Sequence, residues 1–496
     1  MSEKSESKSE SKGITAKKSE NFSEWYSQVV QKAELADIRY NVQGFIVHMP
    51  WTLKIARKIY EYFEEAVEAD GHEPMLFPTV IAEENLKKEE EHAGFVPEVF
   101  WVTEAGSDKL ERKLALRPTG ETQIYPMYSL WVRSISDLPL KRYQSRITVF
   151  RNEMQTRPFM RGREFMFFET HDVFANKEDS IAQIHRDMQM MHDVAEKKLL
   201  IPFIFLKRPK WDRFLGAEDT YTSDTLHPDG RRTQISSTHY LGTNFAKAFN
   251  VTFMDTDGKQ KHGHQTCFGP GIWRMIAALI SIHGDDKGLV LPMNIAPLQV
   301  VIVPIVFSDK PTEMKETIAY GHKVREAVRA AGYRVEFDAR EHMSPGEKYN
   351  IWEMKGVPLR IEVGPKEVEK NTVTIVRRTD RKKTFVALSD MAKELMAQSR
   401  EVDTFIKNQA AAYFKDNTKT AAVLADVKKI LKQHRGFVKA PWCSTADGKA
   451  CADKLKEETT AHVCGTLLEE EKPAKSSKCV VCGKTAGHVV YIATSI

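Results

Sequence analysis

A pair of charged residues two positions apart is the first place where this sequence could do chemistry. Arg151 and Glu153 lie in a predicted strand, where residues i and i+2 share a face. Arginine can hold a phosphate through a fork of N–H donors, and glutamate can accept from an amine or hold Mg²⁺. Two loop arginines, Arg157 and Arg161, follow within reach of further phosphates. The alternative is a surface ion pair on an exposed hairpin.

A second candidate is the glycine-rich segment at residues 269–274, which ends in Arg274 and leads into an apolar predicted helix at residues 275–282. Glycines before a helix let a ligand approach the backbone, and an arginine in the first turn can lie along a triphosphate. The segment is not the dinucleotide-binding fingerprint, because Arg274 stands where that pattern has glycine. The sequence also contains no GxxxxGK[ST] phosphate loop.

Five of the six cysteines lie between residues 443 and 482, which indicates a metal site in a reducing compartment. Cys479 and Cys482 have the spacing of a zinc knuckle. The upstream pair is Cys443 and Cys451, whose separation exceeds the usual spacing. Four thiolates leave no open position, so any zinc is structural. The alternatives are Cys464 in place of Cys451, a site that has lost its metal, and a disulfide.

Helix and strand signals surround the first two candidates with an antiparallel sheet. Apolar periodicity and turn residues predict helices at residues 52–69 and 179–199, and strands at 75–77, 149–153 and 164–169. Gly71 ends the first helix and Pro78 the first strand. Because the strands cluster and the helices flank them, we expect an antiparallel sheet and not a doubly wound parallel one.

A second pattern begins near residue 298, where strands alternate with helices over about 100 residues, as in an α/β domain. The predicted strands are 300–305, 333–337 and 358–363, and the predicted helices are 311–331 and 346–355. Residues 394–434 are predicted to be mostly helical, and the cysteine-rich end begins at Trp442.

Length and composition indicate several globular domains. The chain has 496 residues, of which 42% are hydrophobic and 28% charged, which excludes a wholly disordered chain. We divide it into a disordered tail at residues 1–20 and domains at 21–297, 298–400 and 401–496. The net charge of +5 permits a nucleic-acid partner without requiring one. No run approaches about 18 apolar residues and no apolar export signal opens the chain, so we expect no membrane span and a cytoplasmic location.

Three segments in this order resemble the three motifs of class II aminoacyl-tRNA synthetases: a strand ending at proline, FRNE with a basic loop and Phe165, and the glycine segment ending in Arg274. Further phrases resemble those of prolyl-tRNA synthetases; they lie at residues 117–121 (RPTGE), 156–165 (TRPFMRGREF), 238–245 (THYLGTNF), 283–292 and 355–360. The resemblance covers residues 22–496. It is to the archaeal/eukaryotic type, which has a zinc-binding C-terminal domain and lacks the bacterial editing insertion.

The resemblance implies an α+β fold. Its parts are a class II antiparallel-sheet catalytic domain at residues 21–297, an α/β anticodon-binding domain at 298–400 and a small α+β zinc-binding domain at 401–496. It also implies an enzyme that forms prolyl adenylate from L-proline and ATP with Mg²⁺, then transfers the prolyl group to the 3′ adenosine of tRNA(Pro). Such catalysis rests on positioning and charge stabilisation, with no protein nucleophile. A homodimer and a structural zinc ion are implied as well.

Site residues are implied where this sequence matches the family motifs. Arg151 and Arg274 take the catalytic positions. The ATP-binding positions are Arg151, Glu153, Arg161, Gln234, Ser237 and Arg274. The proline-binding positions are Thr119, Glu121, Arg151, Phe165, Glu169, His171 and His239. The anticodon-binding positions are Lys355, Arg360 and Glu362, and the zinc ligands are Cys443, Cys451, Cys479 and Cys482. For Glu121 and His239 the alternative is a satisfied buried pair.

Several positions depart from the family pattern. Gly120 replaces a serine, Gly162 stands where a threonine often contacts ATP, and Ser237 stands where threonine is common. The chain ends in Ile496, where relatives of this type often have tyrosine. The segment before Arg274 is one residue longer than the family phrase, so Arg274 is its anchor.

Three other functions compete with this interpretation. Another synthetase of the subclass, for threonine, glycine, serine or histidine, is disfavoured by RPTGE and the cysteine-rich end. A paralogue that binds RNA or a partner without catalysis would be expected to have lost Arg151, Glu153 or Arg274, and all three are present. A zinc-ribbon nucleic-acid binder would explain only the last 60 or so residues.

Overall fold

The computed structural model describes residues 13–93, 98–306 and 309–496. Residues 1–12 of the predicted tail lie outside the described residues, but residues 13–20 are held by hydrogen bonds. The backbone N–H of Thr15 donates to Gln28 Oε1 at 2.8 Å, and that of Lys18 donates to Asp286 Oδ1 at 2.8 Å. Ordered chain therefore begins upstream of Phe22. None of the described helices combines the length and apolar character that crossing a membrane requires.

The chain up to residue 283 forms seven helices and fourteen strands within its described part. The helices are α1 (Phe22–Lys32), α2 (Pro50–Ala69), α3 (Glu83–Ala93), α4 (Glu121–Trp131), α5 (Lys177–Met191), α6 (Asn244–Phe249) and α7 (Ile272–Ala278). The strands are β1 (Ala36–Asp37), β2 (Val47–His48), β3 (Glu73–Pro74), β4 (Val80–Ala82), β5 (Trp101–Ala105), β6 (Asp108–Leu116), β7 (Leu140–Phe150), β8 (Glu164–Phe174), β9 (Ile204–Lys207), β10 (Asp219–Leu226), β11 (Arg232–Gly242), β12 (Thr252–Met254), β13 (Gln260–His262) and β14 (His264–Pro270). π-helical turns at His192–Lys198 and Leu279–His283 follow α5 and α7.

The remaining described chain adds six helices and nine strands. The helices are α8 (Pro311–Ala330), α9 (Pro345–Met354), α10 (Pro365–Lys370), α11 (Met391–Asp416), α12 (Leu424–Gln433) and α13 (Lys449–Thr459). The strands are β15 (Val300–Pro304), β16 (Val335–Phe337), β17 (Leu359–Val363), β18 (Thr372–Arg377), β19 (Lys383–Ala387), β20 (Thr418–Thr420), β21 (Phe437–Trp442), β22 (His462–Leu467) and β23 (His488–Ala493).

An 11-stranded sheet carries the first two candidate segments. Its strand order is β20-β21-β23-β22-β9-β10-β11-β14-β8-β7-β3. The central pairs are antiparallel, and only the outermost pairs, β3 with β7 and β20 with β21, are parallel. The predicted antiparallel sheet is confirmed. The join of β22 to β9, which carries this sheet into the cysteine-rich end, was not predicted.

Helix α2 packs its apolar stripe on this sheet. Phe63 is fully buried, and its ring lies 5.8 Å from that of Phe168 and 6.1 Å from that of Phe268. Gly71 ends the turn after the helix with φ of +86°, as predicted. The predicted strand at residues 75–77 is wrong, because β3 ends at Pro74. Beyond it the N–H of Phe77 donates to the side chain of Gln144, which interrupts the backbone ladder.

The β7–β8 hairpin is confirmed, but β7 is shorter at its end than predicted. Phe150 pairs with Glu164, and the N–H of Arg151 still donates to the carbonyl of Arg163 at 2.9 Å. The N–H of Glu153 then turns back to the carbonyl of Arg151 at 2.9 Å. Arg151 and Glu153 are therefore loop residues, and the argument from a shared strand face is wrong.

The α/β pattern after residue 298 is confirmed. Five strands form a separate sheet in the order β16-β15-β17-β18-β19, with β15 parallel to β16 and β17, and β18 antiparallel to both neighbours. Helix α9 begins with a capping box between Ser344 and Glu347. The predicted helical stretch at 394–434 is broken by β20 into α11 and α12.

Candidate functional site

A cavity of about 410 Å³ lies over β8, β11 and β14. The predicted residues that line it are Thr119, Glu121, Arg151, Glu153, Arg161, Phe165, Glu169, Gln234, Ser237, His239 and Arg274. His171 does not line the cavity but lies against Glu169, with its Nε2 3.0 Å from Glu169 Oε2. The structure thus brings together residues that are more than 150 positions apart in the sequence.

One end of the cavity is acidic. Glu121 is 2% exposed at the first position of α4 and accepts a hydrogen bond from the Thr119 hydroxyl. Glu169, on β8, is 1% exposed and accepts from Gln144 Nε2 at 3.0 Å. A Cβ on Gly120 would lie only 2.7 Å from Glu169 Cδ. Glycine at position 120 therefore lets the two carboxylates share this end of the cavity.

The pKa values of two buried histidines at this end are shifted in opposite directions. Burial disfavours the charged form of His171, but the neighbouring Glu169 carboxylate outweighs it and raises the pKa of His171 above its ordinary value. The pKa of His239 is lowered to about 3, first by burial and then by the charges of His171 and Arg208. His239 is therefore neutral at pH 7, with its Nδ1 3.0 Å from Thr220 Oγ1.

The other end of the cavity is cationic. Arg274 lies in the first turn of α7 and donates from Nη1 to the carbonyl of Gln234 at 3.1 Å. Its pKa is lowered to about 10, first by burial and then by the charges of Arg151, Arg232 and Arg161. Three guanidinium groups close enough to lower the pKa of a fourth form a site prepared for a polyanion.

A buried ion network behind the arginines was missed in the sequence analysis. Asp224, fully buried, lies 2.9 Å from Arg232 Nη1 and 3.3 Å from Arg208 Nη2. Arg208 Nη2 also donates to Gln234 Oε1 at 3.2 Å, which orients a predicted ATP-binding side chain. The backbone N–H of Ile496 donates to the carbonyl of Arg232 at 3.2 Å, so the last residue lies beside this network.

Trp273 accounts for the glycine at position 162. Its ring lies 5.8 Å from that of Phe159 and 6.4 Å from that of Phe165, and it lines the cavity. A Cβ on Gly162 would lie 2.5 Å from the Trp273 ring. The indole occupies the space that a larger residue at 162 would need.

The four predicted zinc ligands lie together. The Sγ atoms of Cys443, Cys451, Cys479 and Cys482 all lie within 4.8 Å of one another, close enough for one tetrahedral zinc ion to bind all four. Cys443 follows β21 and Cys451 lies in the first turn of α13, so the loop between them accommodates the long gap. Cys464 is buried on β22 in a different hydrophobic cluster and is not a member of the group.

The predicted anticodon residues form two groups. Arg360 Nη2 lies 2.9 Å from Glu362 Oε1, and its guanidinium stacks on Tyr349, 3.9 Å from the ring centre. Lys383 Nζ pairs with Glu362 Oε2 at 2.8 Å. Lys355 instead pairs with Glu34 at 2.5 Å.

Three known families match consecutive parts of the chain. They are the tRNA synthetase class II core domain (G, H, P, S and T) at residues 100–283, the anticodon binding domain at 299–398 and the prolyl-tRNA synthetase C-terminal domain at 424–495. The proline–tRNA ligase of Thermofilum pendens is 54% identical over 97% of this chain and 99% of its own. That of Pyrococcus abyssi is 42% identical over 96% and 98%.

Solved structures of two synthetases share the fold. The Giardia lamblia prolyl-tRNA synthetase in complex with prolyl-adenylate is 32% identical with a TM-score of 0.93, covering 97% of this chain and 100% of its own. The Cryptosporidium parvum enzyme complexed with halofuginone and AMPPNP is 32% identical with a TM-score of 0.91, covering 98% and 97%.

Proposed function

This chain belongs to the prolyl-tRNA synthetase family and attaches proline to its tRNA through ATP-dependent formation of prolyl adenylate, and from that premise we propose how its cavity divides the work. The acidic end binds proline and the cationic end binds ATP. The opposite charges of the two ends support this division, since proline enters with an ammonium group and ATP with a triphosphate.

Proline binds at the acidic end through its secondary ammonium group. Glu121 and Thr119 bind the ammonium group. Behind them, His171 holds the negatively charged carboxylate of Glu169 in position. The neutral imidazole of His239 and the ring of Phe165 border the pyrrolidine. A buried carboxylate holding the ammonium replaces the water that the amino acid loses on entry.

Arg151 lies between the two ends and joins their substrates. It neutralises both the carboxylate of proline and the α-phosphate, which otherwise repel each other. An oxygen of the proline carboxylate attacks the α-phosphorus, the bond to the bridging α–β oxygen breaks, and pyrophosphate leaves. Arg274 and Arg161 stabilise the charge that accumulates on the triphosphate.

Magnesium would accompany ATP beside Glu153 and Gln234, whose oxygen atoms suit a hard cation. Bound there, it would draw negative charge from the phosphates. In the second step a hydroxyl of the tRNA's terminal adenosine attacks the prolyl carbonyl and AMP leaves. Lys355, Arg360 and Glu362 would contact the anticodon.

Further parts of the proposal concern the cysteine group, assembly and location. Four clustered thiolates fit a structural zinc ion that closes the C-terminal domain at residues 401–496. The chain forms a homodimer, supported by Leu76, which lies two residues after β3 and is 80% exposed. We place the enzyme in the cytoplasm, where its substrates are made and used.

Arg274→Ala tests the division of the cavity. Loss of a prepared cation typically costs about 10²–10³ in rate, so proline-dependent ATP–pyrophosphate exchange should fall by that amount. Exchange measured with all twenty amino acids should favour proline in the unsubstituted enzyme. Arg325→Ala, which changes a surface arginine on α8 paired with Glu326, is the matched control and should keep full exchange. Near-normal exchange by Arg274→Ala would contradict the assignment.

A further inference from the structure

The acidic end of the cavity also contains three different metal-ligand side chains. The ligand atoms of Glu121, His171 and Cys267 all lie within 4.8 Å of one another, and Cys267 Sγ is 3.9 Å from His171 Nε2. The side chains come from α4, β8 and β14, and Cys267 pairs directly with His171 across the sheet. All three residues are buried, at 2%, 1% and 6% exposure.

We infer that Glu121, His171 and Cys267 form a binding site for a thiophilic divalent cation, zinc above all, and that this cation competes with proline. One thiolate, one imidazole and one carboxylate leave a fourth coordination position open, as in zinc sites that exchange ligands. Tetrahedral zinc places its ligand atoms about 3.3–3.8 Å apart. The three ligand atoms therefore need to approach one another by up to about 1.5 Å, which rotation about the side-chain bonds supplies.

The surroundings of the three side chains suit a cation. Glu169 adds a second carboxylate, with its Oε2 3.0 Å from His171 Nε2. Tyr125 OH lies 3.0 Å from His171 Nδ1 and can accept a hydrogen bond from Nδ1–H once Nε2 binds metal. The thiolate selects zinc over magnesium, because soft sulfur ligands favour the former.

Competition with proline rests on the proposed function, whereas metal binding rests on the geometry alone. The proposed contact of the prolyl ammonium is the carboxylate of Glu121, which is also a ligand in the metal site. Two cations cannot occupy that carboxylate together, so each excludes the other. Cys464, the other cysteine fully buried outside the zinc group, lies near Arg208 and Arg232, whose charges oppose a cation.

Cobalt(II) titration of the full-length, zinc-loaded enzyme tests the site, because cobalt replaces zinc and its thiolate bond absorbs light. Zinc in the four-cysteine group is retained, so the reported signal is the thiolate absorbance that added cobalt produces, measured without and with proline. The unsubstituted enzyme should bind about one such cobalt per chain, and added zinc should raise the apparent KM for proline. Cys267→Ser should lose the proline-sensitive band, and Cys464→Ser should keep it.

The cobalt titration tests the metal site and the competition with proline separately. Absence of a thiolate band in the unsubstituted enzyme, or its persistence in Cys267→Ser, would overturn the metal site. A band that depends on Cys267 but resists saturating proline would support the metal site and contradict the proposed proline pocket. Zinc inhibition that is independent of proline concentration would overturn the competition.

Discussion

The buried histidine at position 239 makes the acidic end of the cavity sensitive to pH. Its pKa is lowered to about 3 by burial, whereas the unfolded chain protonates near the ordinary 6.5. Between pH 6.5 and pH 3, His239 therefore binds a proton in the unfolded state but not in the folded state. Stability contributed by neutral His239 is complete above that pH and is lost as pH falls toward 3, by at most about 1.4 kcal/mol per pH unit.

His239→Asn removes this titration. Between pH 7 and pH 5 the melting temperature of the unsubstituted enzyme should fall more steeply than that of the variant. The difference between the two melting temperatures should therefore become smaller as the pH falls. Scanning fluorimetry across that range measures it. His185→Asn, which changes an exposed histidine on α5, is the control and should follow the unsubstituted protein. A constant difference between the enzyme and His239→Asn would contradict the depressed pKa.

The sequence predicted the cavity residues that belong to short motifs, and missed those that act only through distant contacts. Arg151 and Arg274 could be found because neighbouring residues in the sequence mark them. Arg208, which follows β9, and Asp224, on β10, carry no motif in the sequence and meet only when these strands pair. The role of Gly162 was likewise hidden, because its reason is the ring of Trp273, more than 100 positions away.

At the scale of elements, the sequence predicted whether a segment is a helix or a strand better than it predicted where that segment begins and ends. Periodicity located α2 within two residues, because twenty residues carry its signal. The strand expected at 75–77 is displaced because a side chain, Gln144, takes the backbone donor of Phe77. The pairing of β22 with β9 was unpredictable, since strand pairing between distant segments of a chain leaves no local pattern.

The cysteine group should hold the C-terminal elements together. Cys443 follows β21, Cys451 lies in α13, and Cys479 and Cys482 form the turn before β23, so one metal ion would link three elements. We expect Cys479→Ser to reduce bound zinc well below one per chain and to lower the melting temperature. Elemental analysis of the purified enzyme measures the first effect.

Cys464→Ser is the matched control, since Cys464 lies on β22 outside the group and the variant should keep its zinc. An unsubstituted enzyme that is purified without zinc yet charges tRNA normally would show that the cluster has lost its metal.

At the scale of the whole molecule, exposed apolar side chains indicate a missing partner surface. Leu76 is 80% exposed, and the neighbouring Phe77 packs on Trp131, which is itself 38% exposed at the end of α4. Met127 and Leu130 add to the same helix face at 36% and 55%. A two-fold axis would let this surface cover itself in a second copy.

Light scattering should therefore give about twice the 56.6 kDa of one chain. Leu76→Asp places a charge in the predicted interface and should shift the mass toward one chain, whereas Leu468→Asp, at another exposed leucine, should not. A monomer at micromolar concentration would contradict the homodimer.

The accuracy of amino-acid selection also depends on the whole molecule. A proline pocket cannot strongly exclude alanine, which is smaller, so accuracy would require a separate editing domain. A missing methylene gives only about 1–3 kcal/mol of discrimination. Bacterial prolyl-tRNA synthetases carry an editing domain between the second and third motifs. Here the described chain between β8 and β14 forms only α5 with its π-helical turn, one short helical turn, α6 and strands β9 to β13.

This interval leaves no separate hydrolytic domain, so the enzyme should form alanyl adenylate detectably and release alanyl-tRNA without deacylating it. Alanine-dependent pyrophosphate exchange measures the first step, and decay of alanyl-tRNA with and without enzyme measures the second. Arg274→Ala provides the control for exchange, because it should abolish the alanine signal together with the proline signal. Rapid, tRNA-specific hydrolysis of alanyl-tRNA by the purified chain would contradict the prediction and would require a hydrolytic site elsewhere in the molecule.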